Sequence, residues 1–306
     1  MRRLLTALAV AALMLAAACE DSDEPGSGDG TWLETDEADE TDEVDATTPG
    51  PIDADCEGVL GDEPEFEWLS ARLVVDGELG DLCFGVDDQT LVDAWDALAA
   101  IAPRGQLADL GLFVGFQPAN DDGAEVTLAF VNPLNDDASQ FQMSINLPVA
   151  NEDADELLLT MAHEFTHAFT ATVTQTDRTA DAEFDCTTYY NGEACYLEDS
   201  IMWAWISEFW GNGLIDEVDP FAEATTESGE DRCSREPGFL GPYAASTPEE
   251  DFAEAFAAYV FDVPAETGEV EDKLDWLHAQ PGIREFRDRA IAAGMGPLAG
   301  NFEVCG

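Results

Sequence analysis

The stretch Leu157-Leu158-Leu159-Thr160-Met161-Ala162-His163-Glu164-Phe165-Thr166-His167-Ala168-Phe169 decides the fold of this chain. Leu158, Met161, Phe165, Ala168 and Phe169 recur at helical spacing, and Thr160, His163, Glu164 and His167 form a polar stripe on the same helix. His163 and His167 stand four residues apart, so their imidazoles lie one above the other and reach a single ion. Glu164 follows His163 and reaches water held at that ion. Zinc lowers the pKa of such water towards neutrality, and the glutamate takes its proton; this is the chemistry of H-E-x-x-H. The chain has three histidines, and two of them fall in this motif. Asn151 reads as the N-cap, with Glu152, Asp153, Asp155 and Glu156 crowding a first turn where the helix dipole favours acids. The helix is expected to run to about Val173.

Two histidines call for a third protein ligand. The residues after His167, Ala168-Phe169-Thr170-Ala171-Thr172-Val173, supply no third histidine. A glutamate on a second helix is the alternative, and Pro248-Glu249-Glu250-Asp251-Phe252-Ala253-Glu254-Ala255-Phe256 offers Glu250 and Glu254, again four apart. One can bind the metal while the other accepts the remaining N–H of a ligand histidine. Glu249 and Asp251 read as solvated charges of the first turn. Glu198 and His278 are rival ligands.

These two segments together resemble the gluzincin metallopeptidases related to the anthrax lethal-factor catalytic domain. The resemblance rests on two short motifs and not on the whole chain. It implies a zincin-like fold and one Zn²⁺ ion on His163, His167 and Glu250. Glu164 becomes the general base, and Glu254 supports a ligand histidine. In that family a tyrosine seven residues before the ligand glutamate steadies the transition state, which implies the same role for Tyr243. The implied activity is that of a zinc metalloendopeptidase on peptide or protein substrates. The resemblance also implies an edge strand, taken as Phe141–Leu147, that holds an extended substrate by strand addition.

Around these motifs the pattern is mixed. Asp87–Ala100 has helical spacing, with Leu91, Trp95, Leu98 and Ala99 on one face. Leu110–Phe116, Ala124–Val131 and Phe141–Leu147 read as strands separated by Asn, Asp, Gly and Pro turns. Helices follow over a Trp-rich segment from Leu197 to Trp210, then over Glu249–Phe261, Glu269–Ala279 and Ile283–Ala293. The fold class is α+β: a small mixed sheet and the motif helix, then a mainly helical C-terminal lobe. Tyr189, Tyr190, Trp203 and Trp210 read as core packing in preference to a substrate pocket.

The 306 residues carry 67 acidic and 11 basic side chains, for a formal net charge of −56, and Lys273 is the only lysine. Such a chain does not bind nucleic acid through its phosphates, nor grip anionic lipid electrostatically. Arg2 and Arg3 followed by apolar Leu4–Ala18 read as a signal peptide too short to span a bilayer. Ala16-Ala17-Ala18-Cys19 resembles a bacterial lipobox, so residues 1–19 are expected to form a lipoprotein leader and Cys19 to carry the lipid. Residues 20–55 hold 15 acids and no base, the composition of a disordered tether. The expected location is the extracytoplasmic side of a bacterial envelope, at the outer membrane or cell surface, with secretion as the alternative. Cys56, Cys83, Cys186, Cys195, Cys233 and Cys305 then suit three disulfides in a domain spanning 56–306. Proximity favours Cys56–Cys83, Cys186–Cys195 and Cys233–Cys305. The domain is expected to act as a monomer. A non-catalytic binding or structural lipoprotein that keeps a zinc site is the alternative function.

Overall fold

The computed structural model describes residues 56–306 apart from 62–63, 120–126, 151, 180–185, 265–267, 300–301 and 303. The leader ending at Cys19 and the tether 20–55 lie outside the described residues, as does Asn151.

After a short helix α1 (Glu57–Leu60), strands β1 (Phe66–Val75) and β2 (Glu78–Gly85) form a hairpin that the strand expectations above do not include. Its turn is Asp76-Gly77, with φ of 52° and 72°, the two positive values of a type I′ turn. Helix α2 (Gln89–Ile101), capped by the Asp88 side chain, and the short α3 (Arg104–Leu107) lead into β3 (Leu110–Pro118). Strands β4 (Ala129–Pro133) and β5 (Phe141–Asn146) complete a five-stranded sheet of order β2-β1-β3-β5-β4. β3 and β5 run parallel, and the other neighbours are antiparallel.

This order corrects one expectation. Phe141–Asn146 is an internal strand, and β4 is the edge beside it. The alternation Phe141-Gln142-Met143-Ser144-Ile145-Asn146 suggests a strand with one wet face. Instead all six residues are buried, because the polar ones satisfy each other and the backbone. Gln142 Nε2 donates to Ser144 Oγ at 2.9 Å, and Asn146 Nδ2 donates to the Thr127 carbonyl at 2.8 Å.

Alternate residues of β3 feed opposite faces of the sheet. Phe113 joins the main core with Met143 and Ile145, under the helices. Leu112 and Val114 point the other way, into a small cluster with Ala71, Leu60 and the Cys56–Cys83 disulfide. After the short α4 (Leu147–Ala150) comes α5 (Ala154–Thr170), which carries the H-E-x-x-H motif. Its N-cap is Asp153, whose side chain accepts from the backbone N–H of Asp155 and Glu156. The helix starts two residues later than Asn151 suggests, because Asp153 sits where both orphan N–H groups can reach it.

A two-stranded ribbon, β6 (Thr176–Asp177) with β7 (Cys195–Tyr196), follows. Then come α6 (Ile201–Phe209), α7 (Thr226–Cys233), α8 (Pro248–Val260), α9 (Gly268–Ala279) and α10 (Pro281–Ala293). Helix α5 packs between the β4–β5 end of the sheet and α8. Phe165 and Phe169 of α5 meet Phe252 and Phe256 of α8 and Phe286 of α10 in one aromatic cluster. The cysteines pair as expected, Cys186 with Cys195 and Cys233 with Cys305 besides Cys56–Cys83.

Candidate metal centre

The α5–α8 contact builds the site. Helix α8 opens with Thr247-Pro248-Glu249-Glu250, the sequence of a capping box. Thr247 does its half, accepting from the Glu250 N–H at 3.3 Å, and Pro248 occupies the first helical position, where a missing N–H costs nothing. The Glu250 carboxylate is turned instead towards α5. Its Oε2 lies 3.0 Å from His163 Nε2 and 3.7 Å from His167 Nε2, and the two Nε2 atoms are 3.4 Å apart.

These separations match a metal site. Tetrahedral zinc with bonds of about 2.0–2.1 Å places its ligand atoms about 3.3–3.4 Å apart. Among the described residues, His163, His167 and Glu250 are the group of three donors close enough to share one ion. Glu254, one turn along α8, puts Oε1 3.0 Å from His163 Nδ1 on the far edge of the ring, a close contact without the alignment of a full hydrogen bond. Tyr243 lies in the turn between α7 and α8, buried, with its ring 6.0 Å from that of His163 and nearly parallel to it.

The electrostatics are those of ionisable donors held close together and buried. Burial pushes His163 and His167 down, but the surrounding carboxylates of Glu250 and Glu254 outweigh it and raise His163 well above its usual range. His167 rises for the same reason, chiefly through Glu250. Glu250 is lowered strongly: burial alone raises it, and His167 and His163 more than reverse that. Glu164 behaves differently. It is 0% exposed, both carboxylate oxygens lack a hydrogen-bond partner among the described residues, and desolvation raises it to about 7. A buried carboxylate costs several kcal/mol unless something pairs with it. The donor set, its spacing and this orphaned carboxylate therefore fit a zinc ion with water beside it.

Two of the expected first-turn charges are not solvated. Asp251 is 1% exposed: its Oδ1 is 2.5 Å from Lys273 Nζ, and its Oδ2 accepts from Trp205 Nε1 at 3.1 Å and Trp210 Nε1 at 3.0 Å. Burial raises Asp251 and lowers Lys273, each partly offset by the other. Glu249 is half-buried and accepts from the buried Tyr196 hydroxyl at 2.9 Å. The first-turn rule reads only local sequence, and these partners come from α6 and the turn after it, α9 and β7. The rival ligands fall away: Glu198 is exposed, and His278 is exposed on α9 with Nδ1 3.0 Å from the Tyr259 hydroxyl.

Sequence reading also missed what holds Tyr243. Arg232 of α7 is buried and donates from Nη1 to the carbonyls of Ala245 and Ser246, and Ser246 Oγ donates to the Tyr243 carbonyl at 2.6 Å. Gly229, one turn earlier, lets the 242–246 turn lie directly on α7; a Cβ there meets the Pro242 carbonyl at 1.7 Å. Tyr190, Trp210 and Trp205 sit in the core, and Tyr189 and Trp203 pack against it.

Fold and site together define an α+β domain with a His/His/Glu donor group buried between two helices. A family model described as "Putative zinc-binding metallo-peptidase" matches residues 116–290, more than half the chain, and the chain belongs to that family. The match runs from the end of β3 into α10 and contains His163, Glu164, His167, Tyr243, Glu250 and Glu254. No curated protein and no solved structure matches the chain.

Proposed function

We propose that the protein is a zinc-dependent endopeptidase, carried on the extracytoplasmic side of a bacterial envelope by a lipid on Cys19 and a tether over residues 20–55. The observation that carries the catalytic reading is Glu164, a fully buried carboxylate with no hydrogen-bond partner among the described residues, on the turn that bears both histidines. A purely structural metal site has no use for it.

His163, His167 and Glu250 would hold the ion. Zinc supplies Lewis acidity towards a carbonyl oxygen and acidifies water. Glu164 takes the proton of the attacking water and passes it to the departing amine. Tyr243 donates its phenol proton in a hydrogen bond to the developing oxyanion. Glu254 fixes the orientation of His163 through Nδ1. An extended peptide pairs with the edge strand β4, which packs on α5.

The test is Glu164→Gln in the full chain, with zinc content by elemental analysis and hydrolysis of a peptide library with and without chelator. The expected variant keeps one zinc per chain and loses hydrolysis by at least about two orders of magnitude. Wild-type protein that binds zinc but cleaves nothing, or a variant as active as wild type, overturns the reading.

A further inference from the structure

Lys273 is the only lysine in 306 residues, and it is 6% exposed. An acidic chain has no need to hide its one ammonium. Yet Nζ sits 2.5 Å from Asp251 Oδ1 and 4.1 Å from the centroid of the Phe239 ring, with Trp205 and Phe209 also close. Trp205 and Trp210 fill the other oxygen of Asp251. Three donors from α9, α6 and the turn after α6 thus converge on one carboxylate. Burying such a pair is expensive, and an apolar pair of similar volume is often neutral or stabilising. Fold stability alone does not account for it.

Its place in the chain does. Asp251 follows Glu250 directly, so the two carboxylates leave α8 about 100° apart. One faces the histidines and the other faces α6 and α9. Apolar contact is non-directional and lets a helix slide or roll, whereas three hydrogen bonds to one carboxylate fix both the roll and the height of the first turn of α8. That turn must deliver Glu250 Oε2 to two imidazoles, and a working site tolerates errors of only about 0.5 Å.

We propose that the Asp251–Lys273 pair, with the Trp205 and Trp210 indoles, is a positioning device that presets Glu250 as the third metal ligand. The inference rests on the zinc reading above and adds residues that touch neither metal nor substrate. An element that merely ties helices together raises the melting temperature of the metal-free protein without tuning metal affinity. A positioning element sets metal affinity even when stability is kept.

The decisive variant is the full chain carrying Asp251→Asn and Lys273→Met, which removes both charges and keeps an oxygen for the indoles. Trp205→Phe, which removes one donor and keeps the ring, is the second variant and decides the matter if the first does not fold. Zinc affinity is read by competition with a chromophoric chelator, and stability by thermal unfolding of the metal-free protein. The expected result is a zinc Kd weakened about tenfold or more in the double variant. Trp205→Phe shows a smaller loss, and the metal-free melting temperatures do not track either loss. Folded variants with wild-type zinc Kd overturn the proposal and leave the metal centre standing. A wild-type protein that does not bind zinc overturns the metal centre itself, and the positioning role with it.

Discussion

Glu254 Oε1 lies 3.0 Å from His163 Nδ1, on the ring edge opposite the one that faces Glu250. The imidazole is therefore held between two carboxylates of the same helix, four residues apart. A proton on Nδ1 facing Glu254 would leave the Nε2 lone pair to a metal. Glu254→Ala should weaken zinc binding by about 10–100-fold, and Glu254→Gln, which keeps an acceptor, by less. Chelator competition measures both, and equal losses in the two variants would mean that the carboxylate does not orient the ring.

Tyr243 offers a second separation of roles. Its ring stacks beside His163 while its backbone is held by Ser246 and, through the next residues, by Arg232. The turn is therefore held by its own backbone contacts as well as by the ring. Tyr243→Phe should lower kcat by roughly 10²–10³-fold, the cost of one oxyanion donor, with zinc content and melting temperature close to wild type. A fall in zinc content with unchanged kcat per bound zinc would assign the hydroxyl to the metal site rather than to the transition state.

The donor group is readable in the sequence because it obeys local rules. His163, Glu164 and His167 follow helical spacing on α5, Glu250 and Glu254 repeat it on α8, and a short sequence window displays both. What escaped reading depends on distance along the chain. Asp251 looks like any first-turn acid until Lys273, 22 residues away, is folded against it. Phe141–Asn146 reads as an edge strand until β4 is folded beside it. The β1–β2 hairpin is a different case. Asp76-Gly77 carries a strong local turn signal, but β1 is only half-buried along much of its length, so its alternation is blurred. The one lysine of the composition was a pointer too, since a charge that rare is informative about where it sits.

Asp109 gives a pH test independent of the metal. It lies in the turn before β3, and burial pushes its carboxyl from the ordinary 3.8 up to about 6. The folded state therefore keeps a proton that the unfolded chain has lost between about pH 4 and pH 6. Stability from this group is present below pH 4 and is lost as pH rises through 6. Asp109→Asn removes the penalty. It should match wild type near pH 3.8 or below and melt several degrees higher at pH 7, since the shift is worth roughly 3 kcal/mol at most and each kcal/mol moves the melting temperature of a domain this size by about 2–4 °C. The same difference at both pH values would show that the side chain acts through packing alone.

Residues 56–306 carry 52 acids against nine bases, so the domain itself is strongly anionic. Two effects of salt then compete. Exposed pairs such as Arg104–Glu78 and Arg235–Glu217 weaken as salt rises, but each is worth at most about 1 kcal/mol. Repulsion among the excess carboxylates is long-ranged at low salt, where the screening length is about 30 Å at 0.01 M, and is nearly gone at 1 M, where it is about 3 Å. The few attractive pairs cannot outweigh dozens of repelling acids, and the buried Lys273–Asp251 pair is shielded from the solvent ions. The melting temperature should therefore rise steadily from 0.01 to 1 M NaCl. The same field draws cationic peptides inward, so their kcat/KM should fall over that range while that of neutral peptides stays level. A melting temperature that is flat or falls with salt would refute the surface argument, and parallel salt responses of cationic and neutral peptides would refute the steering argument.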